Sequence, residues 1–112
     1  MLKITLLTEG KKLSLRLEGH AEYAEHGKDI VCAAASILAN IVAHDVDLLN
    51  RFNAYKEPAV IRLESGDAEI TCVPTDVSRH IRDTYDFAGK GFSLLAHNYP
   101  QYVEFINDVE DD

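Results

Sequence analysis

Residues 2–18 alternate apolar and polar side chains on both sides of a Glu9-Gly10-Lys11 turn, and one long helical repeat follows from Ile30. That change of hydrophobic period, from two to about 3.6, constrains the fold more than any other feature. Residues 2–8 are rich in Ile, Leu and Thr and read as a strand. In residues 12–18 the side chains of Leu13, Leu15 and Leu17 share one face. The two runs are predicted to form a hairpin.

Asp29 is a good N-cap for the run after it, in which Ile30, Ala34, Ile37, Leu38, Ile41, Val42, Leu48 and Leu49 recur at helical spacing. This helix is predicted to end near Asn50. Residues 51–58 are ambiguous. Residues 59–65 and 68–73 read as a second hairpin around Ser65-Gly66-Asp67. After Pro74, Thr75 or Asp76 is predicted to cap a second helix, with Val77, Ile81, Tyr85, Ala88, Phe92 and Leu95 on one side. Gly89 and Gly91 weaken its middle by about 1 kcal/mol each and are expected to mark a kink or a close contact. Pro100 closes that segment, and residues 102–107 read as a last strand. Asp108 to Asp112 are expected to form a frayed acidic tail.

The predicted order is ββαββαβ. The fold class is α+β, with one mixed or antiparallel sheet of about five strands and two main helices. Two helices are few for that many strands, so one sheet face or edge is expected to remain for a partner.

At 112 residues the chain is long enough for one core, and a single domain over 1–112 is expected. It has no run of about 18 apolar residues, so no membrane span is expected. The start, Met1 to Leu7, does not resemble a signal peptide, and the cytoplasm, where thiols stay reduced, is the expected location. Nineteen acidic against eleven basic side chains give a net charge of -8. Such a surface repels nucleic acid, so no direct nucleic-acid partner is expected. It confers solubility and attracts basic proteins or peptides.

The two cysteines, Cys32 and Cys72, form no CxxC pair and no disulfide framework. With Asp29 as N-cap, Cys32 falls in the first helical turn, among unpaired backbone N–H groups at the positive end of the helix. The thiolate is the nucleophile, and this is where a reactive cysteine is placed. A small buried core residue is the alternative reading. His20 follows the second strand, and an imidazole there can reach a neighbouring helix start across a short loop. A cysteine with a histidine in reach is the working unit of thiol catalysis. Gly19 and Gly27 bracket a polar loop able to move as a flap.

Asp29 has two competing roles, capping the helix or orienting His20. Ser36 lies one turn after Cys32 on the same face, able to bond near the thiol or back to the Cys32 carbonyl. Acyl transfer needs an oxyanion hole. Backbone N–H groups at the helix start or in the loop ending at Gly27-Lys28 are its candidates. Cys72, in an alternating strand, reads as core. His26, His44, His80 and His97 are scattered. His20, His26 and Cys32 lack the paired short spacings of structural zinc, and Gly89-Lys90-Gly91 lacks the context of a phosphate loop. Neither metal nor cofactor is expected.

The stretch Gly19-His20-Ala21 to Gly27-Lys28-Asp29-Ile30-Val31-Cys32-Ala33-Ala34-Ala35-Ser36 closely resembles the signature of the ribosomal-processing cysteine proteases, the Prp family. Ala35 stands where that signature carries a bulkier valine. The resemblance implies a cysteine endopeptidase that removes the N-terminal extension of a large-subunit ribosomal protein during bacterial ribosome maturation. It implies Cys32 as nucleophile, His20 as general base, Asp29 and Ser36 in support, and a substrate-binding loop that includes Gly19, Ala21 and Gly27. A ribosomal-protein peptide as substrate and a homodimer are implied too. The alternative is a non-catalytic ribosome- or protein-binding module that keeps the motif for structure. A thiol redox sensor is a weaker third reading, since no resolving cysteine is evident.

Overall fold

A computed structural model describes residues 1–25 and 27–110. His26 and the end of the predicted tail, Asp111 and Asp112, lie outside the described residues. The elements are β1 (Leu2–Glu9), β2 (Lys12–Glu18), α1 (Ile30–Asn50), β3 (Val60–Glu64), β4 (Asp67–Cys72), α2 (Ile81–Asn98) and β5 (Val103–Glu110). The order ββαββαβ is the one the two periodicities predict.

The five strands form one sheet in the order β3-β4-β2-β1-β5. β1 pairs antiparallel with β2 and parallel with β5, so the sheet is mixed. Register follows the apolar alternation. Leu6 faces Leu15, Leu15 faces Ile70, and Ile70 faces Ile61. A one-residue slip would turn each of these side chains to the other face. The apolar face of β1, β2 and β4 meets the inward side of both helices, where Val31, Ala35, Ala39, Val42 and Val46 of α1 are buried with Tyr85 and Phe92 of α2. The opposite face carries Lys3, Arg16 and the Thr71–Ser14 hydroxyl pair. One sheet face is thus left uncovered, as the helix count predicts.

α1 is long and apolar enough, by length and composition alone, to cross a membrane. Its inward face is instead the centre of this core. The glycines of α2 mark close contacts. A β-carbon on Gly89 would stand 2.9 Å from Leu6, and one on Gly91 would stand 2.8 Å from Leu38 of α1.

Two expectations change. α2 begins at Ile81, after His80, and neither Thr75 nor Asp76 caps it. The Ser78 hydroxyl accepts the Thr75 N–H at 2.9 Å, and Ser78 and Thr75 both donate to the Ala54 carbonyl. These bonds hold residues 75–80 in turns, so Val77 points to solvent rather than joining the helical stripe. Secondly, β5 runs through the segment expected to fray. Asp108, Val109 and Glu110 pair with Leu7, Thr8 and Glu9, and the Gly10 N–H donates to the Glu110 carbonyl at 2.8 Å. Ladder bonds to β1 outweigh the poor strand propensity of the acidic residues.

Candidate active site

Asp29 ends the loop after β2 in an extended conformation, and its carboxylate organises both sides of the helix start. Oδ1 accepts the N–H groups of Val31 and Cys32 at 3.0 and 2.9 Å. Oδ2 accepts those of Tyr23 and Ala24 at 3.0 and 3.4 Å. Burial pushes this carboxyl up, but the N–H groups of Cys32, Ala24 and Tyr23 outweigh it and hold the group below the usual carboxylate value. With both oxygens engaged by backbone, Asp29 caps α1 and ties down the loop; it makes no bond to His20.

Cys32 therefore sits in the first turn of α1, half-buried, with its sulfur facing the loop. The Ala21 N–H donates to Cys32 Sγ at 3.4 Å. Ala21 itself is buried, so it serves the loop through its backbone rather than its side chain. His20 precedes it, and its exposed ring lies on the β3–β4 turn. A β-carbon on Gly66 would stand 2.7 Å from His20 Nε2. The Gly19 N–H also donates to the Gly66 carbonyl at 2.9 Å. Among the described residues no hydrogen bond joins His20 to Cys32.

A cleft of about 720 Å³ opens between α1, this loop and the β3–β4 turn. His20, Cys32, Asp29 and Ser36 all border it, with Gly19 and Gly27 of the loop. Asn40, one turn beyond Ser36, Glu64 at the end of β3, and Ser65 and Gly66 of the turn are among the other lining residues. Those four carry no local signal of the site: Ser65-Gly66 reads only as a turn, and Asn40 only as an exposed helical residue. Tyr23 is a further unpredicted element. Its ring packs edge-on against Tyr99 and Tyr102, at centroid distances of 5.5 and 5.2 Å, and anchors the loop to the segment between α2 and β5.

Cys72 is wholly buried, as its alternation predicts. Its thiol donates to Tyr85 Oη at 3.7 Å, and burial pushes it up to about 11 against that bond. It does not border the cleft. His44, His80 and His97 do not border it either.

The arrangement provides a thiol at a helix start, an imidazole bordering the same cleft and a backbone donor on the sulfur, which are the parts of thiol-based acyl transfer. A family model described as cysteine protease Prp matches residues 1–104. The ribosomal processing cysteine protease Prp of Staphylococcus aureus is 52% identical over 33 residues, 30% of this chain and 31% of that protein. That match spans under a third of the relative's length. An S. aureus Prp structure with a covalently linked product peptide superposes with a TM-score of 0.66 at 20% identity, over 96% of this chain and 99% of the other. A Streptococcus mutans structure gives 0.67 at 24% identity, over 98% and 96%. Both share this fold. With the family match running from Met1 through the β5 residue Glu104, the chain belongs to the cysteine protease Prp family.

Proposed function

We propose that this chain is a cysteine endopeptidase that removes the N-terminal extension of a large-subunit ribosomal protein, with Cys32 as nucleophile and His20 as general base. The observation that carries the reading is the cleft shared by both residues, where the first turn of α1 presents the sulfur. Family membership supports the chemistry. The S. aureus relative, named for ribosomal processing, is known with a substrate peptide and with a covalently linked product peptide. The net charge of -8 suits a basic substrate protein and opposes direct contact with nucleic acid. A ribosomal substrate and a working thiol both point to the cytoplasm.

The chemistry has two halves. His20 takes the thiol proton as the sulfur attacks the peptide carbonyl, and the carbonyl π pair moves onto oxygen. When the tetrahedral species collapses, the C–N bond breaks and His20 protonates the departing amine. Water then adds to the thioester, His20 takes its proton, and Cys32 leaves as the thiol when the new carboxyl forms. His20 and Cys32 are not bonded beforehand, so the peptide completes their approach; catalytic hydrogen bonds commonly tighten only in the substrate complex. Ser36 supports the site as a hydroxyl bordering the cleft one turn beyond the sulfur.

A homodimer is part of the proposal. Ile30, Ala34, Ile37, Ile41, His44 and Leu48 recur at alternating steps of four and three along α1, all on its outward side except the partly buried Ala34. Ile30, Ile37, Ile41 and Leu48 are all exposed. This heptad-like stripe suits packing against the same helix of a second copy.

The test of the enzyme reading is a peptide spanning the ribosomal protein's N-terminal extension, incubated with the purified chain. One cut at the extension boundary is expected, and Cys32→Ala and Cys32→Ser are expected to abolish it. Unchanged cleavage by either variant rejects the nucleophile.

A further inference from the structure

Acyl transfer through Cys32 needs a donor for the oxygen that becomes negative as sulfur adds to the carbonyl, and the N–H groups nearest the sulfur in α1 are already engaged. The Val31 and Cys32 N–H groups are both held by Asp29 Oδ1, and the Ala33 N–H is held by the Asp29 carbonyl at 3.1 Å. In the loop, the Lys28 N–H is held by the Glu25 carbonyl at 3.0 Å. All four donors have protein partners before any substrate arrives. To reach an oxyanion, each would have to break a bond that builds the site.

The Ala21 N–H differs, because its partner is the reacting sulfur itself. We propose that the backbone N–H of Ala21 is an oxyanion donor of this enzyme, an assignment that rests on the endopeptidase reading of the same cleft. When the sulfur bonds to the carbonyl carbon, the new oxyanion is one carbon away from it. A donor 3.4 Å from the sulfur then needs only a small shift to lie the required 2.7–3.1 Å or so from that oxygen. Electron density leaves the sulfur as the S–C bond forms and accumulates on oxygen. The N–H follows the charge, releasing a partner whose claim is fading for one whose claim is growing. Such a donor favours the tetrahedral species over the bound peptide, which is the condition for raising kcat.

The geometry also explains why this amide is fixed. The Ala21 methyl is buried, and the preceding residue lies against Gly66. The chain therefore carries the general base on one residue and the oxyanion donor on the next.

The decisive variant replaces the His20–Ala21 amide by an ester, which removes the N–H and keeps both side chains. Cys32 is itself the ligation point for joining synthetic residues 1–31 to the remainder of the full chain. The expected result is a fall in kcat of about 10²–10³-fold, with KM within a few-fold. The rate of Cys32 alkylation by iodoacetamide, a displacement with no oxyanion, is expected to stay within a few-fold. Ala21→Pro, which also lacks the N–H, is expected to lose turnover in the same way. Circular dichroism and the alkylation rate report whether each variant is folded. A folded ester protein that cleaves as fast as the all-amide protein overturns the assignment and leaves the protease reading intact. An all-amide protein that cleaves nothing overturns both.

Discussion

The imidazole of His20 lies against Gly66 so closely that a β-carbon there would stand 2.7 Å from Nε2, and Gly66 belongs to a turn 46 residues further along the chain. No carboxylate bonds the ring among the described residues. The seat of the proposed base is therefore a piece of backbone that any side chain would push away. Gly66 also has a positive φ of 73°, so two variants separate the causes. Asn tolerates this backbone and Ala does not, while both carry the β-carbon. Gly66→Asn and Gly66→Ala are both expected to lower kcat, by about 10²-fold for a displacement near 1 Å. Peptide kinetics across pH, with melting temperatures alongside, check this. Loss in the Ala variant alone would show that backbone strain, not the contact with His20, is what matters.

The two thiols are expected to react very differently. Cys32 borders the cleft, whereas Cys72 has no exposed surface and is pushed up to about 11. Brief iodoacetamide treatment at neutral pH should modify Cys32 and spare Cys72 in the folded chain, as read by peptide mass spectrometry. Equal labelling of both would contradict the placement of Cys72 in the core.

Asp29→Ala removes the acceptor of four N–H groups, two in α1 and two in the loop. Loss of the cap alone costs about 1 kcal/mol. The pH dependence follows from the direction of the shift. The folded carboxyl lies below its ordinary value of 3.8, so its stabilisation is present above that pH and is lost as pH falls through the lower, folded value. Acid denaturation below pH 4 should therefore be less steep for the Ala variant. An identical acid limb in the two proteins would count against the cap.

Tyr23→Ala removes two edge-to-face contacts, with Tyr99 and Tyr102. Each such pair contributes about 0.5–1.5 kcal/mol beyond its buried area. Faster amide exchange is expected at Tyr23 and Ala24, with little change in β1 or β2, because the anchor holds only the loop. Hydrogen-exchange mass spectrometry checks this, and unaltered loop protection would rule the anchor out.

Ile37→Asp places a charge in the centre of the exposed stripe of α1. Light scattering after size exclusion should show a dimer for the parent and a monomer for the variant at the same concentration. A parent that is monomeric at all concentrations would remove the homodimer from the proposal.

Sequence alone determined the local structure, and the reason is periodicity. Alternation in residues 2–8 and 12–18 marked the buried strand faces, and the repeat after Asp29 marked the helix but not its buried side. Ile30, Ile37, Ile41 and Leu48 of that repeat are exposed, while Val31, Ala35, Ala39 and Val46 fill the core. Sequence also pointed to Cys32 and His20, which both border the cleft, because a cap and a helix start are encoded within a few adjacent residues. Tertiary structure decided what depends on distant groups. Asp29 proved to be a cap because the amides of Tyr23 and Ala24 claim its second oxygen. The second helix started late because Ser78 found the Ala54 carbonyl. Residues 108–110 became strand because Leu7 to Glu9 offered a ladder. Gly66 reached the site only when the sheet order brought the β3–β4 turn beside the end of β2. Each is a contact whose partner lies elsewhere in the chain, and local pattern carries no record of it.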